Sequence, residues 1–323
     1  MLKIAHHADG SQRKIHLGGW KKQHADARDE EFRLKLPTGL LKVPASYDNR
    51  AICSAVEDQG ELGSCTANMF AAMIESNEIK RSGRGGVANR IVVHVTTPPT
   101  VTTSGVAVAS DGSISFSTKV VPGSAPAPTP PAPTPPPPPA KLIQVSRLFE
   151  YYATRKIENS LSEDSGASIR DTIKAGYTYG VADEAHWAYD VSKFAVNPPA
   201  NVWTEAAQHK VSSYHAIADG DTATMKSALA SGFLVGFGFT VYDYFMSAAM
   251  AKNGVLNLPT SGEQVQGGHA VTLVGYDDSK SAFLVRNSWG AGWGLQGYFW
   301  MAMSYVANTR LASDFWVIQS SPV

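Results

Sequence analysis

Apolar residues recur at helical spacing from Ala67 through Phe70, Ala71 and Ile74. The pattern predicts a helix that opens after Ser64, carries Lys80 and Arg81 in its last turn and stops at Gly83. Leu148, Tyr151, Tyr152 and Ile157 predict a second amphipathic helix. Ser165-Gly166-Ala167-Ser168 starts a third through Ile169, Ile173 and Tyr177, closed at Gly180, and Met225 to Leu229 reads as a last one. From about Asn201 the pattern turns to short apolar runs between turn residues. Phe233 to Phe239, Ala270 to Tyr276, Ala282 to Arg286 and Tyr298 to Met301 read as strands. Helices first and strands second predict an α+β fold in two lobes, a helical one over about 43–82 and 142–200 and a β-rich one over about 201–323.

Two stretches break this order. Residues 1–42 are polar and basic, with nine Lys or Arg against five Asp or Glu and four histidines, His6, His7, His16 and His24. Their apolar anchors, among them Trp20, Phe32, Leu34, Leu40 and Leu41, are too few for a core, so the segment is expected to lie on another surface, with globular sequence starting near Val43-Pro44. Between Gly83 and Lys141 the composition shifts to Thr, Ser, Val and Gly, and 122–140 holds eleven prolines. Such a tract lacks amide donors and favours an extended, solvated spacer. It also offers a weak docking site for a proline-reading partner of the SH3 or WW kind. Ile91-Val92-Val93-His94-Val95 and Ser113-Ile114-Ser115-Phe116-Ser117 alternate well enough to pair as a loose hairpin.

Composition then removes whole classes of function. The 323 residues carry 28 basic and 28 acidic side chains, and no basic run interleaved with aromatics occurs, so nothing points to nucleic acid. Two cysteines cannot staple a chain of this length, and no Cys-x-x-Cys or His-Glu-x-x-His is present, so neither a disulfide framework, a metal nor another cofactor is expected. Met1 to Gly10 has no apolar core of a secretory signal, and no run is long enough to span a bilayer. The expectation is a monomer, cytoplasmic or exported by another route.

What remains is a lone thiol in an unusual place. Gln59-Gly60-Glu61-Leu62-Gly63-Ser64-Cys65 delivers Cys65 to the first turn of a helix, where the positive end of the helix dipole favours the nucleophilic thiolate. Gly60 and Gly63 permit a tight loop that approaches a ligand closely, and Ser64 is a good cap. Gln59 offers an amide donor for a developing oxyanion. The alternative is an inert core thiol, which is also how Cys53 reads. Among the later histidines only His269 has a chemical setting. It follows Gly267-Gly268 at a strand start, and Asn287-Ser288-Trp289-Gly290 ends the next strand 18 residues on. If the strands pair, Asn287 can fix the imidazole and Trp289 can screen that bond from water.

These three motifs, in this order, resemble the papain-like cysteine proteases, in particular the small xylellain-like bacterial members. Gln59-Gly60-x-x-Gly63-Ser64-Cys65 is similar to their oxyanion and nucleophile motif and Gly268-His269-Ala270-Val271 to their histidine motif. Asn287-Ser288-Trp289-Gly290-x-x-Trp293-Gly294-x-x-Gly297-Tyr298 is similar to their asparagine motif. In papain the histidine and asparagine follow the cysteine by roughly 130–150 residues. Here His269 lies 204 residues after Cys65, and leaving out the 59 residues of 83–141 brings the spacing to 145. Leu62 stands where the family usually has a disulfide cysteine, and Thr66 where it has an aromatic.

The resemblance implies a papain-like two-lobe fold, a helical lobe and an antiparallel, β-barrel-like lobe with the cleft between them. It implies a thiol peptidase acting through Cys65, His269 and Asn287, with Gln59 at the oxyanion and Gly166, Gly268 and Trp289 binding peptide or protein substrate. Residues 1–42 take the place of an inhibitory pro-region. Two other readings use the same residues: a catalytically silent scaffold presenting its proline-rich insertion, and a transpeptidase that passes the acyl group to another amine.

Overall fold

The computed structural model describes residues 1–23, 26, 29–32, 43–83, 107–108, 114–115 and 143–320. In chain order the elements are strands β1 (Leu2–His6), β2 (Gln12–His16) and β3 (Ser46–Asp48), helix α1 (Cys65–Arg81), strands β4 (Ala107–Val108) and β5 (Ile114–Ser115), and helices α2 (Arg147–Ile157), α3 (Ile169–Thr178) and α4 (Ala200–Ala206). Then come β6 (Val211–Ile217), α5 (Thr222–Ala230), β7 (Val235–Tyr242), α6 (Ala248–Asn253), β8 (Val255–Leu256), β9 (Val265–Asp277), β10 (Ala282–Arg286), β11 (Tyr298–Ala302), α7 (Met303–Val306) and β12 (Ala312–Ser320).

Contacts divide the chain into two units, Met1–Gly86 with Pro139–Val323, and Val87–Pro138. In the second unit the described backbone is one antiparallel pair, with Ala107 opposite Ser115 and Val108 opposite Ile114. The expected partner run Ile91–Val95 and the proline tract 122–140 lie outside the described residues.

The first unit is built on a mixed sheet in the order β6-β12-β7-β9-β10-β11-β8, with β3 added on β9. The barrel-like arrangement expected of the β lobe takes the form of an open sheet, antiparallel except for the β8–β11 pair. One cluster of buried side chains, Phe237, Phe239, Phe245, Phe283, Phe299 and Phe315 among them, fills one side of it. Phe237 and Phe315 stack with centroids 5.0 Å apart. A second cluster seats α1 on the sheet through Met69, Phe70, Met73 and Ile74 against Ala270, Val274 and Leu284. Gly236 gives α1 that seat, since a Cβ there would lie 2.1 Å from the Met69 sulfur.

Helices α1, α2, α3 and α5 fall where periodicity predicts them, and Ser168 caps α3 by accepting from the Asp171 amide. Strand β9 runs further toward the N-terminus than its apolar core. Helices α6 and α7 follow α5, so Met225 to Leu229 is not the last helix; at six and four residues they are too short to show a period. Within residues 1–42, expected to lie on another surface, β1 and β2 form a hairpin that buries Ala5 and Ile15, with Leu17 just after it, in the same cluster as Phe237. Cys53 is half-buried rather than a core residue, its sulfur 3.4 Å from the Asn49 carbonyl.

Phe237 has no exposed surface and aromatic partners on two strands. Phe237→Ala should cost about 3–5 kcal/mol, read as a lower denaturant midpoint with an unchanged m value. A loss below 1 kcal/mol would show that the aromatic cluster does not hold the sheet.

Candidate active site

Cys65 is the first residue of α1, and the loop before it is tied to the end of β10. The Gln59 amide donates to the Ser288 carbonyl at 2.9 Å, and the Gly290 amide to the Glu57 carbonyl at 2.9 Å. Tyr189 donates its hydroxyl to the Gln59 carbonyl at 2.8 Å, and Arg147 donates to the Asp58 carbonyl at 3.1 Å. Ser64 holds the cap position but makes no capping bond; its hydroxyl meets Tyr189 at 2.5 Å and accepts from Asn68 at 3.1 Å. The serine therefore braces the loop instead of the helix end.

His269 in β9 and Asn287 just after β10 meet side chain to side chain, with His269 Nε2 2.8 Å from Asn287 Oδ1. That oxygen also accepts from the Ser288 amide at 2.8 Å, which fixes it as the acceptor, so Nε2 carries the proton and Nδ1 is left with its lone pair. Nδ1 is buried and has no hydrogen-bond partner. Trp289 stacks on the ring at 5.1 Å and 30°, with Phe239 and Phe245 on other sides. The amide of Ala270, next to His269, approaches the Cys65 sulfur, so thiol and imidazole come from adjoining points on α1 and β9.

The N-terminal segment runs directly over this junction. After β2, the Gly18 amide donates to the Gly268 carbonyl at 3.0 Å, the Ala167 amide to the Gly19 carbonyl at 2.8 Å, and the Lys21 amide to the Ala167 carbonyl at 2.9 Å. The Trp20–Ala167 bridge is parallel. Gly19 has no room for a side chain, since a Cβ would stand 2.6 Å from the Gly63 carbonyl and 2.8 Å from the Cys65 sulfur. Trp20 fills a slot whose walls are bare backbone: a Cβ on Gly238 or Gly268 would come within 2.0 or 2.9 Å of its ring. Its indole N–H donates to Asp314 at 2.9 Å. Arg13 pairs with Asp58, Lys21 with Glu158 at 2.7 Å, and Phe32 packs on Phe233.

The side chain of Gln59 is also engaged by this segment. Its Nε2 donates to the His16 carbonyl at 3.3 Å and to that of Leu62 at 3.1 Å, while Ser288 donates its hydroxyl to Oε1 at 2.7 Å. Gln59, Cys65, His269 and Asn287 thus gather at one place, with Gly268 and Trp289 beside them. At Gly166 the close contact is a Cβ position 2.6 Å from the Gly19 carbonyl, and the backbone bonds to the segment come from its neighbour Ala167. Trp20 as occupant of a slot, Asp314 beneath it, and Tyr189 are residues that motif reasoning missed. The Asp9-Gly10 turn between two short alternating runs was the signal for the hairpin.

Covering the site dries it, and burial sets the charges. Burial pushes the Cys65 thiol up to about 12, against the nearby amides of Ala270 and Thr66 that favour the thiolate. Burial pulls His269 down to about 4, against the bond from Asn287. The resting pair at neutral pH is therefore a thiol and a neutral imidazole.

A family profile described as papain family cysteine protease matches residues 165–317, a stretch that holds His269 and Asn287 but not Cys65. A peptidase C1-like protein of Acanthamoeba polyphaga mimivirus is 50% identical over 181 residues, covering 54% of this chain and 58% of that protein. The chain thus spans little more than half the length of that relative, and 26% of a cathepsin B-like protein of Giardia intestinalis that it matches at 43% identity. Among solved structures, xylellain, a cysteine protease from Xylella fastidiosa, superposes over all of both chains with a TM-score of 0.68 and 29% identity. A digestive procathepsin L2 of Tenebrio molitor shares the fold at a TM-score of 0.60 and 19% identity, over 94% of this chain and 78% of its own.

The dry pair predicts a bell-shaped stability profile. Between pH 6.5 and about 4 the unfolded chain takes a proton that folded His269 refuses, so stability falls as pH drops through that window, by about 3 kcal/mol in full. Above about pH 9 the folded state keeps the Cys65 proton that the unfolded chain loses, so stability falls as pH rises toward 12. Denaturant midpoints should flatten on the acid side in His269→Asn and on the alkaline side in Cys65→Ser. Unchanged limbs in both variants would assign the profile to other groups.

Proposed function

We propose that this chain, which resembles the papain family of cysteine proteases over residues 165–317 and xylellain in its fold, is a cysteine peptidase held latent by its own N-terminal segment. The observation that carries the reading is the junction of α1 with β9: a thiol on a helix N-terminus beside the Ala270 amide, and an imidazole held at 2.8 Å by Asn287 with its other nitrogen free.

In the reaction, His269 Nδ1 takes the proton of Cys65, and the thiolate attacks a peptide carbonyl. The oxyanion is met by Gln59 Nε2, which its bonds to Ser288 and Leu62 keep aimed, and by the Cys65 amide at the helix end. The imidazolium then protonates the leaving amine, and the same nitrogen activates water to release the acyl group. Asn287 holds the ring through this exchange without taking a proton itself.

Latency follows from what lies over the thiol. A substrate carbonyl needs the volume now held by Gly18, Gly19 and Trp20, and proton transfer from Cys65 is opposed while the site is dry. Burial of one indole is worth about 2–3 kcal/mol, and the Arg13–Asp58 pair, part exposed, adds at most about 1 kcal/mol. Ala5, Ile15 and Leu17 in the Phe237 cluster and the Lys21–Glu158 pair add to this hold, so opening the site asks the whole segment to lift.

Cys65→Ala should abolish peptide hydrolysis and labelling by an epoxysuccinyl peptide while the chain stays folded; hydrolysis at the parent rate would sink the peptidase reading. Gln59→Ala should lower turnover by roughly 10²–10³-fold, and a loss under twofold would take Gln59 out of the mechanism. Trp20→Ala or Arg13→Glu in the full chain should speed both labelling and hydrolysis, by roughly tenfold or more for the tryptophan. Equal rates in parent and both variants would show that the segment does not restrain the site.

A further inference from the structure

Three side chains of the helical side, Arg147, Asn68 and Tyr189, close a bracket around the loop at 59–65. Arg147 opens α2 and is only 6% exposed. Its Nη1 donates to the Asp58 carbonyl at 3.1 Å and to Asn68 Oδ1 at 3.2 Å. Glu57 and Glu184 stand 3.2 and 3.5 Å from the guanidinium and balance its charge, and its carbon lies 4.1 Å over the centre of the Tyr189 ring. Glu184 also accepts from the Tyr189 amide at 2.7 Å, so one carboxylate seats both members of the stack.

A directed chain of hydrogen bonds crosses the bracket. Asn68 presents Oδ1 to Arg147, which leaves its Nδ2 to donate to the Ser64 carbonyl at 3.0 Å and the Ser64 hydroxyl at 3.1 Å. Tyr189 spends its proton on the Gln59 carbonyl at 2.8 Å, so the Ser64 hydroxyl is the donor in its 2.5 Å contact with Tyr189. From Arg147 the direction of donation is thus fixed through Asn68, Ser64 and Tyr189 to Gln59. The peptide groups at the two ends of the loop are held as well. A trans peptide is planar, with its C=O and N–H opposed. Asn68 holds the Ser64 carbonyl by its side chain and by its amide at 3.0 Å, and so sets the direction of the Cys65 N–H. Arg147 holds the Asp58 carbonyl, and the N–H of that same peptide is the Gln59 amide bonded to Ser288 at 2.9 Å.

Resting on the peptidase reading, we propose that Arg147 is a positioning residue for the oxyanion, acting through Asn68 and Tyr189 to set the spacing and aim of the Cys65 amide and Gln59. One guanidinium nitrogen reaches both peptide groups, the Asp58–Gln59 group directly and the Ser64–Cys65 group through Asn68. Its bonds go to a carbonyl, an amide side chain and two carboxylates, so it acts on the two donors and not on the thiol–imidazole pair. Donors of this kind matter most once charge has developed on the substrate oxygen, so their misplacement falls on kcat more than on KM.

The test uses the full chain with Trp20→Ala in every variant, so that the segment restrains the cleft less and the Arg13–Asp58 pair beside the loop stays in place. Peptide hydrolysis is measured alongside the rate at which a dipyridyl disulfide inactivates the enzyme, a thiol exchange in which no carbonyl oxyanion forms. Tyr189→Phe keeps the ring under the guanidinium and removes the hydroxyl. Asn68→Asp removes the side-chain donor on the Ser64 carbonyl and keeps an acceptor for Arg147, and Arg147→Lys keeps the charge without the planar fork. We expect each to lower kcat by roughly ten- to a hundredfold, and to leave KM and the disulfide exchange within about threefold of the parent. In a Gln59→Ala background Tyr189→Phe should cost far less than in the parent, because the donor it aims is gone. Losses in KM or in disulfide exchange as large as those in kcat show a bracket that holds the fold without aiming the donors, and overturn the proposal. Additive losses for Tyr189→Phe and Gln59→Ala overturn it, as does parent kcat in Arg147→Lys, which would leave the guanidinium only balancing charge. Should Arg147→Lys fail to fold, Tyr189→Phe and Asn68→Asp decide by the same criteria. Unchanged kcat in the variants leaves the peptidase reading standing, whereas no hydrolysis by the Trp20→Ala parent withdraws that reading and this proposal together.

Discussion

The packing of α1 on β9 is the contact from which a site arises at all. The thiol and the imidazole are 204 residues apart in the chain, and neither has chemistry of interest alone. They come to adjoining points because Met69 and Met73 pack on Gly236 and α1 shares one buried cluster with Ala270, Val274 and Leu284. Apolar burial of this kind is non-directional, so it fixes approach but not aim. Aim comes from the polar ties between the loop at 57–59 and the loop at 287–290, two backbone bonds and the Ser288–Gln59 bond. The same ties set Gln59 and Asn287 in one frame. A shift of either loop would misplace both, which is why a few hydrogen bonds at this seam weigh more on function than on stability.

A second constraint is dielectric. Catalysis by a thiolate and an imidazolium asks for two charges near each other, and a closed cleft resists both. Burial moves Cys65 to about 12 and His269 to about 4, each away from the charged form. On the proposed latent reading, the N-terminal segment does two things with one position: it fills the space of a substrate, and it removes the water that would stabilise the reactive pair. Its glycines permit the first, since Gly19 passes where no side chain fits. Its tryptophan secures the second.

The parts of this arrangement that were legible in the sequence are those whose signal is local. Helix α1 announces itself by apolar period and a glycine stop, and strands β7, β9 and β10 by apolar runs between glycines and turn residues. Gln59, Cys65, His269 and Asn287 were readable as candidates because each sits in a short motif whose glycines mark close backbone approach. Edge strand β6 runs over half-buried, mixed residues such as Tyr214 and His215 and carries no clean alternation, while its partner β12 is a short continuous run, Phe315 to Ile318, buried on both faces. Ser64 reads as a cap because its type and place fit, yet its hydroxyl is drawn off by Tyr189, 125 residues away. Propensity cannot see a competing partner at that distance.

Residues 1–42 show a related limit of local signals. Counting apolar side chains gives the segment no core of its own and lays it on another surface, which is sound, because a two-stranded hairpin is marginal in water, but the count does not predict the hairpin. What counting misses is that a host surface changes the sum. Ala5, Ile15, Leu17 and Trp20 need only a few buried neighbours each when the neighbours are already ordered, and the entropy of ordering falls on a short stretch of chain. Its basic residues then find fixed acids, Arg13 at Asp58 and Lys21 at Glu158. A segment assembled this way is held by several small terms on a preformed surface and by no core of its own. The proposed latency requires that it leave without unfolding the sheet beneath it, and that property, more than its affinity, would make a plug over the nucleophile reversible.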